Sequence, residues 1–416
     1  MAEKCPYQFD FMDPMRMREG TPFDAFRTLR ENCPVALQEA NEHSGEFWAV
    51  TRRQDVDFIS KNPAIFSSRE NLAHPATGAD DELSRDILHQ LVINMDPPGH
   101  NQYRKVVKNA FTMHAVDALE PMMRGYAKSI VDKVASKGQC EFASEVAAEM
   151  PLFVICALVE RPAEKRKTFS ELVEATLWMD DPEMDITPEK GQAAAAEIFE
   201  IAMDLAAKHQ ENPKKGTVLD ALLNGVVEGE ALTEFEFCCF FLILIAGGVE
   251  TTRTATNHGM RLLMENPDEL EKLVENPSLI PGAVEEILRF QPAFNYMQRT
   301  AMEDVKVGDM DIKKGDMVRM FYPSVNHEEA VFGEDADQFK VTRAQDMPDF
   351  KSQHRTFGMG QHFCLGSHLA RKELTVMFEE IVPRLRHPEM VGEPICLASN
   401  FIPGIKEMHI TFDPEN

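Results

Sequence analysis

The chain has 416 residues, 44% of them hydrophobic, so it is long enough to bury one large core or several smaller ones. Asp and Glu (69) outnumber Lys and Arg (43), and the net charge of −26 opposes nonspecific attraction to nucleic acid or anionic lipid. Residues 1–20 carry charges and no continuous apolar stretch, which predicts a cytoplasmic protein without a signal peptide or membrane anchor. The eight cysteines are spread widely without a CxxC pair, so free thiols are expected rather than disulfides.

The first half of the chain predicts a mixed α and β opening followed by a long helical region. Residues 22–32 predict a short helix and residues 46–51 a strand, whereas the polar, broken residues 66–90 predict a surface loop. The acidic residues 180–185 predict a solvated turn. Amphipathic patterns predict helices over residues 119–135, 143–158, 162–177 and 188–208.

A basic pair follows the turn at Asp96-Pro97-Pro98. His100 and Arg104 lie at i and i+4 of a predicted helix, and Tyr103 belongs to its apolar stripe. On these residues alone an ordinary solvated basic face remains an alternative to a binding site.

The longest apolar pattern, residues 233–264, predicts a helix through the centre of the protein. In its middle, Gly247 and Gly248 weaken the helix and predict a local bend or groove. Close packing on small residues would also explain the glycines. It would not explain Glu250, because a buried carboxylate is costly unless it is paired or used.

The next segment combines a predicted helix with β structure. Glu286 and Arg289 lie at i and i+3 of the helix, where an ion pair can form. The segments that predict β structure are residues 296–301, 305–313, 318–322 and 397–412.

A single cysteine lies in a glycine-bracketed loop, residues 356–366, directly before a predicted amphipathic helix that ends at Pro383. The helix N-terminus favours the thiolate form of Cys364, which is the form that binds metals. Gly358, Gly360 and Gly366 would let a flat ligand approach the backbone. An inert buried thiol is the ordinary alternative for a cysteine.

The pattern Phe357-Gly-x-Gly-x-His362-x-Cys364-x-Gly366 resembles the haem-ligand signature of the cytochrome P450 family, the haem-thiolate monooxygenases. Four further segments are similar to motifs of that family and follow in its order along the chain: 96–104, 246–252, the pair Glu286 and Arg289 with Arg343, and Arg299. The resemblance implies a mainly α fold with small β-sheets, a single domain over residues 1–416, and haem b as cofactor.

The resemblance also implies residue roles. Cys364 would bind the iron, and the residues around the cofactor would be His100, Arg104, Ala246, Gly247, Arg299, Phe357, His362 and Gly366. Glu250 and Thr251 would form the acid and alcohol pair of oxygen activation, which fits them better than peroxide use or nitric-oxide reduction. Glu286, Arg289 and Arg343 would form a buried structural lock. The substrate pocket would include Val92, Ile243, Ala246, Phe294, Tyr296, Phe401 and Ile402.

The implied activity inserts one atom of O2 into a lipophilic substrate such as a sterol or terpenoid. Electrons would come from NAD(P)H through a separate ferredoxin and ferredoxin reductase, and the protein would be a monomer. The predicted docking cations are Lys105, Lys108, Arg371 and Lys372. The alternatives are a hydroxylase of an aromatic or fatty-acid substrate, a zinc hydrolase using His362, Cys364 and His368, and a non-enzymatic helical scaffold or haem sensor.

Overall fold

The computed structural model describes residues 5–74 and 81–415, and helices dominate it. The α-helices of the described residues are α1 (Pro14–Arg18), α2 (Phe23–Asn32), α3 (Arg53–Lys61), α4 (Glu82–Gln90), α5 (Gly99–Val107), α6 (Met113–Asp117), α7 (Glu120–Asp132), α8 (Glu149–Leu158), α9 (Arg166–Leu177), α10 (Pro188–Glu211), α11 (Val218–Leu223), α12 (Glu234–Glu265), α13 (Pro267–Glu275), α14 (Ile280–Phe290), α15 (Tyr322–Asn326), α16 (Glu329–Phe332), α17 (Arg343–Asp346), α18 (Phe350–Gln353) and α19 (Ser367–Arg384). The longer helices confirm those predicted over residues 119–208.

The strands are short and form small sheets. They are β1 (Val35–Gln38), β2 (Phe47–Val50), β3 (Phe66–Ser67), β4 (Gln139–Glu141), β5 (Val226–Val227), β6 (Glu230–Ala231), β7 (Tyr296–Ala301), β8 (Val305–Val307), β9 (Met310–Ile312), β10 (Met317–Phe321), β11 (Arg386–Met390), β12 (Ile395–Cys396), β13 (Ile405–Glu407) and β14 (His409–Asp413). The largest sheet has the order β1-β2-β10-β7-β3, in which only the β10–β2 pair is parallel. Strands β11, β14 and β4 form a second sheet, and three two-stranded hairpins complete the β structure of the described residues.

The central helix α12 begins where its sequence provides a capping box. The Thr233 hydroxyl accepts a hydrogen bond from the Glu236 backbone N–H, and the Glu236 carboxylate accepts one from the Thr233 N–H at 2.7 Å. The helix runs without interruption through Gly247 and Gly248. Within residues 5–74 and 81–415, α12 alone is long and apolar enough to cross a membrane. It packs in the interior against α8, α9, α10, α14 and α19, so its apolar surface belongs to the core.

Behind α12, the predicted ion-pair lock is assembled in the protein interior. The Glu286 carboxylate accepts hydrogen bonds from Arg289 Nε at 2.7 Å and from Arg343 Nε at 3.1 Å, and none of the three side chains is more than 5% exposed. Further guanidinium N–H groups donate to backbone carbonyls, such as that of Asn326 at 2.7 Å from Arg289 Nη1, and to the Asp335 carboxylate at 2.8 Å from Arg343 Nη1. These hydrogen bonds offset the free-energy cost of burying three charges and hold α14 against α17.

Three expectations from the sequence need correction. The segment predicted as a loop over residues 66–90 contains α4, because Asp81 caps it by accepting from the Ser84 N–H at 2.9 Å; residues 75–80 of that segment lie outside the described residues. The turn at 180–185 is not fully solvated, because Asp181 is 1% exposed and pairs with Lys406 at 2.8 Å. Cys5 and Cys33 form a disulfide, so the prediction of free thiols is wrong for this pair.

Candidate active site

A cavity lies between α12, α19, β7 and the loop that carries Cys364. Its volume is about 290 Å³. Most of its wall is apolar. The residues that line it include Val92, Ile93, His100, Arg104, Phe240, Ile243, Leu244, Gly247, Gly248, Thr251, Thr252, Phe294, Met297, Arg299, Phe357, His362, Cys364, Gly366 and Glu373.

Cys364 reaches this cavity from the turn that precedes α19. Its backbone N–H donates to the Phe357 carbonyl oxygen at 2.8 Å, which closes the loop. The side chain is exposed to the cavity, but protein atoms surround it closely, and this burial raises the pKa of the thiol. The Gly366 N–H and the charges of Arg104 and Arg371 act in the opposite direction without outweighing it. Burial therefore opposes the thiolate preference predicted from the helix terminus, and a bound cation would displace the proton.

The glycines of the loop have a steric purpose. Gly358 and Gly360 both adopt φ of +72°, a left-handed conformation that costs other residues more. A side chain at Gly360 would also collide with the carbonyl oxygen of Ser60 on α3. These positions let the loop fold tightly beneath the cavity.

Basic side chains converge on the part of the cavity wall beside the cysteine loop. The rings of His100 and His362 lie with their centroids 4.1 Å apart, Arg104 donates to the Phe363 carbonyl oxygen, and Arg299 Nη1 donates to the Gln298 carbonyl oxygen at 2.6 Å. Neither guanidinium forms an ion pair with a carboxylate of the described chain. Burial and the neighbouring cations lower the pKa of His362 to about 2, so the imidazole is neutral.

This arrangement fits haem b. Two guanidiniums without carboxylate partners, the buried Arg299 and the half-buried Arg104, would hold its propionates together with His100, while Cys364 would bind the iron. The lining glycines and the apolar wall leave room for a flat ring. When bound there, haem with a thiolate ligand supplies the activation of O2.

The two residues predicted for proton delivery lie on different faces of α12. Thr251 lines the cavity, and its hydroxyl donates to the Gly247 carbonyl oxygen at 2.8 Å. Glu250 is 1% exposed, is not part of the cavity wall, and lies 3.8 Å from Arg253, which bonds Glu174 at 2.7 Å. Burial raises the pKa of Glu250 to about 7, so this carboxyl group can hold or release a proton near neutral pH.

The seven residues predicted to line the substrate pocket divide into two groups. Val92, Ile243 and Phe294 line the cavity, whereas Ala246, Tyr296, Phe401 and Ile402 do not. The geometry of β7 explains why Tyr296 does not line the cavity. Side chains alternate between the two faces of a strand, so Met297 and Arg299 face the cavity and Tyr296 packs on the other face. Phe401 and Ile402 belong to that same outer cluster.

The helical spacing of α12 indicates more of the cavity wall than the predicted pocket residues do. The cavity side of α12 carries Phe240, Ile243, Leu244, Gly247, Gly248, Thr251 and Thr252, which recur at intervals of three and four. Ala246 lies off this stripe. A side chain at Gly247 would meet no atom within 4 Å, whereas one at Gly248 would press on Ile155. The predicted groove is therefore open at Gly247.

The carboxyl group in the cavity wall, that of Glu373, is not predicted from the sequence. Glu373 lies on α19 with 2% of its surface exposed, and its Oε2 has no hydrogen-bond partner in the described chain. Burial raises the pKa of this carboxyl group well above its usual range, so it is neutral. Glu373 follows Ala370 by three residues and Leu369 by four, so the three residues share one face of α19, and this spacing is the sequence signal that places Glu373 in the wall.

The four predicted docking cations also divide into two pairs. Lys105 and Lys108 are exposed and form no ion pair with any described residue. Arg371 bonds Glu285 at 2.7 Å, and Lys372 bonds Glu120 and Asp117 at 2.5 and 3.1 Å. Their charges are therefore neutralised by carboxylates from distant parts of the sequence.

The predicted zinc site is not formed. His368 is exposed on α19 and lies outside the cavity wall, away from the lining side of His362 and Cys364. Within the part of the chain that the structure describes, the one cluster with metal-ligand spacing is Asp10, Asp13 and His43, which shares no residue with it. The zinc hydrolase interpretation is therefore wrong.

Comparison with known proteins agrees with this geometry. The family model described as "Cytochrome P450" matches residues 70–401. The chain is 34% identical to a steroid C26-monooxygenase of Rhodococcus jostii, over 98% of this chain and 85% of that protein. It is 30% identical to a linalool 8-monooxygenase of Pseudomonas putida, over 98% and 99% respectively. A solved Mycobacterium marinum cytochrome P450 in complex with pseudoionone matches with a TM-score of 0.85 and 28% identity, covering 99% of this chain and 100% of that one. The predicted mainly α fold and the haem b cofactor are thereby confirmed, and the chain belongs to the cytochrome P450 family of monooxygenases.

Proposed function

We propose that this monooxygenase hydroxylates a sterol or terpenoid, with electrons delivered from NAD(P)H by a separate ferredoxin and its reductase in the cytoplasm. The observation that carries the substrate class is the distribution of charge around the cavity. Its lining cations are Arg104 and Arg299, which lie beside the imidazoles of His100 and His362 in the part of the wall assigned to the haem propionates. The remaining wall, with Val92, Ile243, Leu244, Phe294 and Met297, is apolar and offers nothing to orient a charged substrate.

The same distribution disfavours a fatty acid, whose carboxylate would find no free cation in the apolar part of the cavity. It fits molecules that are apolar along most of their length. Two of the relatives named above support this class, since one is a steroid C26-monooxygenase and the other a linalool 8-monooxygenase.

Substrate binding is expected to displace water from the iron and to change its spin state. Purified haem-loaded protein should give a saturable spin-state change with sterols or terpenoids at micromolar concentration. Fatty acids of matched solubility should bind at least about tenfold more weakly, since an unpaired carboxylate costs more than about 1.4 kcal/mol to desolvate. Small aromatic compounds should also bind more weakly, because they bury less apolar surface in the cavity. A stronger response to fatty acids or aromatics would contradict the proposed substrate class and favour the corresponding hydroxylase.

Electron delivery is proposed to use the exposed pair Lys105 and Lys108 on the end of α5. Arg104 of the same helix donates to the Phe363 carbonyl oxygen beside Cys364, so this end of α5 adjoins the cysteine loop. A chain of net charge −26 repels an acidic ferredoxin on average, and a local cationic patch would offset that repulsion.

Lys105→Glu combined with Lys108→Glu should slow reduction by the ferredoxin about tenfold or more at low salt, mainly through association. The difference should shrink as salt is raised, while reduction by dithionite stays unchanged. The matched control is Lys306→Glu on β8 with Lys314→Glu in the turn between β9 and β10, which changes the net charge equally. Equal slowing in both double variants would show that net charge, and not this patch, governs docking.

A further inference from the structure

Arg371 lies half-buried beside the cysteine loop. It follows Cys364 by seven residues on α19, and its side chain is only 18% exposed. The guanidinium carbon is 4.3 Å from the centroid of the Phe357 ring, and Nε donates to Glu285 at 2.7 Å. A cation held between an aromatic face and a carboxylate is not free to bind a partner protein.

Phe357 connects this cation to Cys364. Its carbonyl oxygen accepts the Cys364 backbone N–H at 2.8 Å, and its side chain lines the cavity that receives the haem. Arg371 therefore contacts the ring of Phe357, and Cys364 is hydrogen-bonded to the backbone of the same residue.

Glu285 places an opposite charge behind Arg371. It lies on α14 and bonds both Arg371 and His354 Nε2, the latter at 3.0 Å. Burial raises the pKa of Glu285, but the hydrogen bonds from His354 and Arg371 outweigh it, so the carboxylate is ionised. Burial lowers the pKa of His354, so that ring is neutral. The network therefore presents one cation towards Phe357 and one anion behind it.

We propose that the Arg371–Glu285 pair sets the reduction potential of the haem iron bound by Cys364, with Arg371 favouring the reduced state and Glu285 opposing it. An added electron increases the negative charge at the iron and its sulfur ligand. A fixed cation near them stabilises that state, and a fixed anion destabilises it. The proposal rests on haem binding through Cys364 and on no particular substrate or electron partner.

The test is a dye-mediated redox titration of purified, haem-loaded protein without ferredoxin. Arg371→Gln should shift the ferric–ferrous equilibrium towards ferric iron by about threefold to tenfold, where tenfold corresponds to about 59 mV. Glu285→Gln keeps the shape and hydrogen bonding of the side chain and should shift the equilibrium in the opposite direction. Arg371→Lys retains the charge and should shift it less than Arg371→Gln, although it loses part of the stacking.

Lys372→Gln is the matched control, because it removes the same charge from the neighbouring residue. Lys372 pairs with Asp117 and Glu120, so its loss should leave the potential within about twofold of wild type. The opposite signs of Arg371→Gln and Glu285→Gln separate an electrostatic effect from damage to the loop, which would move both variants alike.

Shifts of the same sign in both variants, or no shift beyond that of Lys372→Gln, would overturn the proposal. If Arg371→Gln left the potential unchanged but slowed reduction by ferredoxin in a salt-dependent manner, Arg371 would be a docking residue instead. A wild-type protein without thiolate-bound haem would be a different failure, because it would remove the proposed function itself.

Discussion

Cys364→Ser is expected to abolish the strongly red-shifted Soret band of the ferrous carbonyl complex and, with it, monooxygenation. The band arises because a thiolate donates electron density to the iron, and a serine oxygen at this position does not reproduce that donation. The structure brings Cys364 to the cavity wall opposite Thr251, with a loop closed by the bond from its N–H to Phe357. That bond is made by the backbone, so the substitution should leave the loop and the fold intact.

The control is Cys396→Ser, which alters a partly buried free thiol outside the cavity wall and should keep the band. Absorbance spectra of the reduced proteins under carbon monoxide, with far-ultraviolet circular dichroism to confirm folding, make the comparison. An unshifted Soret band in wild-type protein, or a folded Cys364→Ser protein that retains the red-shifted band, would contradict iron ligation by Cys364.

Features with local causes could be predicted from the sequence. The predicted central helix, residues 233–264, differs from the observed Glu234–Glu265 by one residue at each end, because Thr233 and Glu236 supply a complete capping box. The ion pair between Glu286 and Arg289 follows from their i, i+3 spacing. The spacing of His100 and Arg104 likewise places both side chains on one face of α5, and that face lines the cavity.

Features decided by distant partners could not be predicted in the same way. Arg371 and Lys372 are adjacent cations on α19, but Glu285 binds one and Glu120 the other, and neither pairing has a local signal. Asp181 is buried because Lys406, 225 residues further along the chain, reaches it. Tyr296 is predicted to line the pocket, but its neighbour Met297 lines it instead. The alternation of side chains along a strand defines two faces without indicating which face meets the cavity.

Thr251→Ala is expected to uncouple the reaction while leaving substrate binding and NADH consumption near their wild-type values. The Thr251 hydroxyl lies on the cavity side of α12, where Thr252 also lines the wall, and Thr251 is the residue adjacent to Glu250 in the acid and alcohol pair; the Glu250 carboxyl lies off the cavity wall. Proton delivery into the cavity would therefore depend on this hydroxyl. Positioned proton donors typically contribute about 10²–10⁴-fold, so product formed per NADH should fall at least about tenfold and hydrogen peroxide should account for the missing electrons.

Thr256→Ala is the matched control for this prediction. Thr256 lies on the same helix, and its hydroxyl donates to the Thr252 carbonyl oxygen at 2.8 Å, the same type of bond that Thr251 makes to Gly247. It is buried outside the cavity wall, so its loss changes helix packing without removing a proton carrier from the cavity. Thr251→Ser, which keeps the O–H, should remain largely coupled. Simultaneous assays of NADH, product and peroxide decide the matter: equal coupling in Thr251→Ala and Thr256→Ala would mean that Thr251 only packs the helix.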